Sequence, residues 1–425
     1  MNHTIVHLIG VEISGEFSAQ NLELIRNCRA LVLSKRHRAL LSQLLDDLPA
    51  ERLIPIAPVQ DALHQAAHFL IEGDVVILAT GDPLFFGIGR TLLKFFGPDR
   101  IAIYPAPSSM QIAFSRFKIP WDDAGFLSLH GRAACNLATL LTHDKLFLFT
   151  DRHSSPDRIA KSLLTECGSR INSEYILHVA ENLGMDDERL HTGTLAEIAE
   201  QTFSPLNVII LLKTRDLPSS MEPCFGLTED EITHSRGLIT KNEVRAASLH
   251  ALRLPRQGVL WDVGAGSGSI GLEAARLFPE LQIFAVEREE EQVKNIQKNR
   301  ERFRAWNLKL HQGSAPDILT ALPAPDRVFI GGSGGQLLTI IDHAAERLIP
   351  GGRIVVNAVL EKTAQDAPAY LHALGLDVTL SEIKVTRRSY SQAKDEIQPI
   401  QTMHPITIII GQKKNTEQEK TDECI

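Results

Sequence analysis

The sequence predicts an α/β protein of two units, and three observations carry that reading. At 425 residues the chain exceeds one ordinary core, since domains run about 100–200 residues. Two long segments each alternate apolar strand-like runs with helical periodicity, the pattern of mostly parallel sheets. Between them residues 214–226, TRDLPSSMEPCFG, are rich in Pro, Ser and Gly and lack any periodicity, as a linker does. Hydrophobic residues at 44% and charged residues at 23% match a folded protein and exclude a disordered or fibrous chain. A net charge of -8 with pI ≈ 6.1 leaves no global basic field for nucleic acid or an anionic membrane. An anionic ligand therefore needs a local pocket of positive charge.

The first segment spans residues 4–213. Its strand candidates are the apolar runs at 5–9, 30–33, 75–79, 101–104, 146–149, 175–179 and 208–212, with helical periodicity between them, for example at 61–71 and 156–167. The second spans residues 227–412, with about seven strands at 259–263, 282–286, 309–312, 327–330, 353–358, 378–385 and 406–410. Residues 413–425 form a polar tail expected to fray. No repeat indicates a solenoid. The opening MNHTIVHLIGVE lacks the basic and apolar regions of a signal peptide, and the longest apolar runs fall far short of the ~20 residues of a membrane helix. Cys28, Cys135, Cys167, Cys224 and Cys424 are scattered and form no CxxC pair, so a reduced, cytoplasmic protein with incidental thiols is expected. His64 and His68 share a helix face at i, i+4, but no third ligand is near in sequence; a solvated pair is expected and no metal site.

The most informative stretch is LWDVGAGSGSIGLEA at 260–274, where a strand runs into glycines and then a helix. Glycines at such a turn accept positive φ and let backbone lie directly against a ligand. A dinucleotide site would show G-x-G-x-x-G. Here the spacing is G-x-G-x-G with Asp262 two positions before Gly264, a form that resembles the class I S-adenosylmethionine-dependent methyltransferases. The resemblance implies that Gly264, Ala265, Gly266, Ser267 and Gly268 hold the methionine end, with Asp262 as orienting carboxylate. The next strand ends at Glu287, 23 positions after Gly264, where a carboxylate can accept hydrogen bonds from ribose hydroxyls. After the third strand Ser314 and Ala315 stand where these enzymes carry Asp-Ala beside adenine. Methyl transfer needs mainly proximity and in-line geometry, which accounts for the lack of a catalytic triad.

The segment GLTEDEITHSRGLITKNEVRAA at 226–247, GGSGGQL at 331–337 and PGGRIVVNAVLEKT at 350–363 resemble the decarboxylating corrinoid methyltransferases of cobalamin biosynthesis. That resemblance spans nearly all of the second half and adds Thr240 to the cofactor set. A corrinoid carries many carboxylates, so Lys241, Arg245, Arg387, Asn357 and the turn through Gly332, Ser333 and Gly334 are the substrate-binding candidates, with Arg236 and Arg388 as further nearby cations. Successive backbone N–H groups in such a turn can form a nest for a carboxylate.

The first half lacks the G-x-G-x-G loop. Gly10 ends its first strand, and LATGDPLFFGIG at 78–89 carries a strand into Thr80, Gly81, Asp82 and Pro83, with an apolar helix expected to start at the Pro. This resembles the tetrapyrrole methylases, which hold S-adenosylmethionine in a cleft between two α/β subdomains. YPAPSSMQIAFSRFKIPW at 104–121 and SLHGR at 128–132 match the group acting on precorrin-6-type corrinoids, except that Ala106 replaces a usual glycine. The resemblance covers about residues 4–213, implies subdomains of about 1–107 and 108–213, and adds Phe85, Ser108, Ser109 and Thr150 to the cofactor set. The alternative for Asp82, Ser108 and Ser109 is a role as helix caps alone. Arg132 can pair with a substrate carboxylate, and the alternative for it and His130 is a solvated loop.

Together the resemblances imply a tetrapyrrole methylase half fused to a Rossmann-like class I half. The implied activity is S-adenosylmethionine-dependent methylation of a small-molecule corrinoid at carbons 5 and 15, with loss of carbon dioxide from the ring C acetate. They also imply a homo-oligomer, since relatives of both halves self-associate. The competing readings are methylation of another tetrapyrrole, a protein or RNA, or one half serving only as a cofactor-binding regulator. The missing basic stripe argues against RNA.

Overall fold

The computed structural model describes residues 4–12, 15–41, 45, 48–129, 137–214, 225–388 and 400–415. These fall into two compact units: residues 4–129 and 143–214 make the first, and the rest, with the short stretch 137–142, make the second.

The first unit begins with a sheet of β1 (Val6–Val11), β2 (Ala30–Leu33), β3 (Leu53–Pro55), β4 (Val75–Thr80) and β5 (Ile101–Tyr104), ordered β3-β2-β4-β1-β5 and parallel throughout. Every residue of β1 and β2 is buried, as strands covered on both faces must be. A second sheet joins β6 (Gly125–Ser128), β7 (Lys145–Phe149), β8 (Tyr175–Glu181), β9 (Arg189–Thr194) and β10 (Asn207–Lys213) in the order β6-β7-β10-β8-β9. Here the expectation of mostly parallel pairing is corrected: only β6 with β7 is parallel. The link from β8 to β9 is too short for a crossover helix, so those strands must form a hairpin. The strands β3, β6 and β9 escape the sequence reading because they are short or, like β9, largely exposed.

The second unit is one sheet of β11 (Gly258–Val263), β12 (Leu281–Glu287), β13 (Leu308–Gln312), β14 (Arg327–Ile330), β15 (Arg353–Ala358), β16 (Asp377–Ile383) and a last strand, β19 (Ile406–Gln412). Between these last two lies a small ribbon of β17 (Thr386–Arg387) and β18 (Gln401–Thr402). The sheet order is β13-β12-β11-β14-β15-β19-β16, with the first five strands parallel and β19 antiparallel to both neighbours. Strand alternation sends Leu260, Ile283 and Phe329 to one core layer and Trp261, Phe284 and Val328 to the other. The strand order reverses between β11 and β14. Open α/β sheets bind ligands in the crevice outside the carboxyl ends of the strands at such a reversal.

Candidate functional site

At that crevice β11 ends in Asp262 and Val263, and the chain turns through Gly264–Gly268 into the helix Ser269–Leu277. Gly264 has φ +65°, and a Cβ there would stand 2.2 Å from the Gly332 carbonyl oxygen. The loops after β11 and β14 thus meet backbone to backbone, a contact only glycine permits. The N–H groups of Gly264 and Ala265 both donate to Val286 O, at 3.0 and 3.1 Å, which fastens the loop to β12. Gly266 N donates to Glu287 Oε2 at 2.8 Å.

The crevice is a cavity of about 580 Å³, ample for a cofactor-sized ligand. Gly264, Ala265, Gly266, Ser267, Glu287, Ser314 and Ala315 line it, as do Thr240, Lys241, Asn357 and Gly332, Ser333 and Gly334. The sequence assigned all of these to one site from segments more than 100 residues apart. Asn357 is held from behind by Ser248, whose Oγ lies 2.9 Å from its Nδ2. Glu287 is fixed by further N–H groups, since its Oε1 accepts from Arg288 and Glu289.

Two expected cofactor residues do not line the cavity. Gly268 packs against Ile296, 3.0 Å from where its Cβ would be. Asp262 is 1% exposed behind the loop. Its Oδ2 accepts the Gly271 N–H of the following helix at 2.9 Å, while Oδ1 has no partner among the described residues. Burial pushes its pKa up to about 7, and the nearby charge of Glu287 adds to the shift. Asp262 therefore shapes the loop instead of touching a ligand.

The expected cations are redistributed too. Arg245 is 1% exposed and absent from the lining. It donates through Nε to Glu273 Oε2 at 2.6 Å, and through its other nitrogens to Thr240 O, Asn242 Oδ1 and Leu227 O. It is a buried structural ion pair and not a substrate ligand. Arg387 also stays off the lining, gripped by Glu243 at 2.6 Å and Glu229 at 2.8 Å. Lys241 reaches the cavity, yet its Nζ binds Glu229 at 2.6 Å. Arg236 pairs with Glu291 on the surface, and Arg388 is exposed. The cation that sequence reasoning missed is Arg288, which lines the cavity next to Gly334. Its position directly after the strand-end Glu287 was the available signal.

In the first unit three loop ends converge at the carboxyl edge of the parallel sheet. A Cβ on Gly10 would lie 2.2 Å from Gly81 O and 2.6 Å from Ala106 N, and one on Gly81 would lie 2.9 Å from Ser108 Cα. The helix expected from Pro83 begins at Gly89 instead. Residues 83–88 form a tight turn, with Phe86 at φ +53° and Gly87 packed over the Pro83 carbonyl. The candidate side chains there are satisfied locally. Asp82 Oδ1 accepts from Leu84 N at 2.8 Å, and the Thr80 hydroxyl sits 3.1 Å from His37 Nε2. Ser108 caps the helix Ser109–Phe117 in a capping box with Gln111, so the capping alternative holds for its side chain and Ser109 opens that helix. Phe85 packs on Phe126 and Phe149 of the second sheet, with ring centroids 5.4 and 5.8 Å away. The buried Thr150 hydroxyl, just past Phe149, donates to Asn207 O at 2.7 Å. Arg132 and His130 lie outside the described residues.

Comparison with known proteins gives each half a family. Residues 7–199 match the family described as Tetrapyrrole (Corrin/Porphyrin) Methylases, and residues 231–408 the Precorrin methyltransferase domain. A precorrin-6Y C(5,15)-methyltransferase [decarboxylating] from Sinorhizobium sp is 37% identical over 316 residues, 74% of each chain. The protein of the same name from Mycobacterium tuberculosis (strain ATCC 25618 / H37Rv) is 33% identical over 377 residues, 87% of this chain and 90% of that one. A shorter relative, cobalt-precorrin-6B C(15)-methyltransferase (decarboxylating) from Salmonella typhimurium, is 43% identical over 137 residues, 32% of this chain and 70% of that one. Methyltransferases of this family use S-adenosylmethionine. With both halves matched and two relatives above 30% identity over most of their lengths, the chain belongs to the precorrin-6Y C(5,15)-methyltransferase (decarboxylating) family.

Proposed function

We propose that the chain methylates a precorrin-6Y-type corrinoid at carbons 5 and 15 and decarboxylates its ring C acetate, the first half acting at carbon 5 and the second at carbon 15. The carrying observation is the second-half crevice at the strand-order reversal, with its cradle of Gly264 and Gly266 and the Glu287 carboxylate in one cavity. S-adenosylmethionine fits the groups present. Among the described residues the buried Ser267 Oγ of the lining has no partner, and the Glu287 carboxylate that lines the cavity suits a cationic ligand. Gly264–Ser267 would hold its methionyl end, Glu287 its ribose, and Ser314 and Ala315 its base.

When bound, the cofactor supplies an electrophilic methyl group on a sulfonium. The protein's own task is to exclude water and hold a nucleophilic macrocycle carbon in line with that methyl. The meso carbon loses a proton as it gains the methyl. Decarboxylation takes up one proton, R–CH2–COO⁻ + H⁺ giving R–CH3 + CO2, so the pair of steps balances. The first half would hold its own cofactor where Gly10, Gly81 and Ser108 converge. Among the described helices none is long and apolar enough to cross a membrane. Incubating the full chain with substrate and cofactor tests the reading by product mass. Two methyl gains and one carbon dioxide loss are expected, and an unchanged corrinoid would sink the assignment.

A further inference from the structure

We propose that Arg288, together with the glycine turn after β14, is the anchor for a substrate carboxylate that the reaction retains. The inference rests on the corrinoid reading above and asks which cation meets the substrate. Lys241 and Arg288 are the cations that line the cavity, and Lys241 is already bound to Glu229 at 2.6 Å. Arg245 and Arg387 are each neutralised by glutamates away from the lining. Among the described residues the Arg288 guanidinium pairs only with its neighbour Glu289, Nε to Oε1 at 3.1 Å, and both side chains are exposed. Among the described residues its two terminal nitrogens make no hydrogen bond.

Those nitrogens lie over the turn. Arg288 Nη1 is 2.9 Å from where a Cβ on Gly334 would stand, and Gly334 and Gly335 have φ +57° and +89°. The hydrogen bonds at the turn run from Gly331 N to Val263 O and from Gln336 N to Ser333 O. The N–H groups of Gly332, Ser333 and Gly334 take no partner among the described residues. A planar guanidinium beside a run of open N–H groups is a carboxylate receptor.

The chemistry decides which carboxylate belongs there. In decarboxylation the C–C bond breaks, its electron pair passes into the conjugated macrocycle, and neutral carbon dioxide leaves. A cation paired with the departing group stabilises the reactant and not the product side, so it raises the barrier. Arg288 therefore holds a carboxylate that stays, and the departing acetate belongs away from it, among the apolar residues of the lining.

The test uses the full chain with R288Q, R288K and G334A, measuring kcat and KM for the corrinoid, Kd for S-adenosylmethionine, and carbon dioxide released per methyl gained at carbon 15. R288Q should raise the corrinoid KM about 10- to 100-fold, the loss of a charge-assisted hydrogen bond. R288K should recover part of it, and G334A, which pushes a methyl against the guanidinium, should resemble a weak R288Q. The cofactor Kd and the one-to-one yield should stay within about twofold of wild type. An unchanged KM in R288Q, or an equal loss in cofactor affinity, overturns the anchor. Faster carbon dioxide release in R288Q overturns the retained-carboxylate assignment. Absence of turnover by the wild-type chain overturns instead the reading beneath it.

Discussion

The two halves bring backbone segments into close approach in opposite ways. In the second half one strand-to-helix turn carries the alternating Gly264, Gly266 and Gly268, all with positive φ, and Gly264 and Gly266 line a cavity. In the first half the same closeness is assembled from β1, β4 and the segment after β5, with Gly10 against Gly81 and Gly81 against Ser108. Candidate polar side chains at that convergence are spent on caps and turns, as with Asp82 and Ser108. In the second half Asp262 Oδ1 and Ser267 Oγ are buried with no partner among the described residues. A site built in one loop advertises itself in sequence, and a site built from three does not.

The largest expected effect comes from filling the close approaches. G264A and G10A each place a Cβ 2.2 Å from a backbone oxygen, which cannot yield as a flexible side chain can. Each should lower its own half's methylation at least about 100-fold, as misplacement on the order of 1 Å does. G264A should leave a product with one added methyl and no carbon dioxide lost, and G10A should spare carbon-15 methylation and decarboxylation on substrate already methylated at carbon 5. Mass spectrometry separates the two. Loss of both activities in either variant would break the division of labour between halves.

Next in size is the ion pair that sequence reading mistook for a substrate contact. Arg245 and Glu273 are both 1% exposed and 2.6 Å apart. R245M leaves Glu273 buried without its cation, at a cost of about 3–5 kcal/mol. In denaturant melts followed separately for each half, only the transition of the second half should move. Restoration by adding E273L would show that the penalty is the stranded charge.

This pair also shows where legibility ended. A sequence gives Arg245 its charge but not its burial, and 1% exposure together with four acceptors is a property of the packed helix Asn242–Leu252. Likewise Arg387 lies 144 residues from Glu243 in the chain, and only β17 brings them together. The glycine loop was legible because its positive φ angles demand glycine locally, and the acid at the end of β12 and the Gly331–Gly335 turn were legible because their segments resemble known methyltransferases. The antiparallel second sheet was not, because the direction of β10 between β7 and β8 is set by tertiary pairing and not by any local pattern. Arg288 went unnoticed for the simplest reason: the acidic residue before it drew the assignment.

A pH effect of intermediate size separates the halves further. Asp262 has its pKa raised from 3.8 to about 7 by burial, with Glu287 adding to it. The folded state then binds more protons than the unfolded state between about pH 4 and pH 7, so stability falls as pH rises through that window. The contribution is fully present at the acid end and lost by neutrality, a difference on the order of 4 kcal/mol. D262N cannot ionise and should flatten that slope in the second-half transition. Melting temperature against pH for both proteins checks it, and parallel curves would sink the idea.

The smallest expected effect is at Arg387, and it is the sharpest check on how the cations are divided. Its Nε and Nη2 hold both oxygens of Glu243, and Nη2 also meets Glu229 at 2.8 Å. Hydrogen bonding to Glu243 holds the proton on this guanidinium above its already high ordinary value. A substrate carboxylate would have to displace Glu243 to use it, exchanging one charge-assisted bond for another with little net gain. The pair is partly exposed, with side chains 31% and 43% accessible, which limits its own worth to about 0–1 kcal/mol. R387Q should therefore shift stability slightly and leave the corrinoid KM within about twofold of wild type. A tenfold rise in KM would mean that the carboxylates of the substrate do compete with Glu229 and Glu243. The Lys241–Glu229–Arg387–Glu243 network would then be a gate on the site and not a brace beside it.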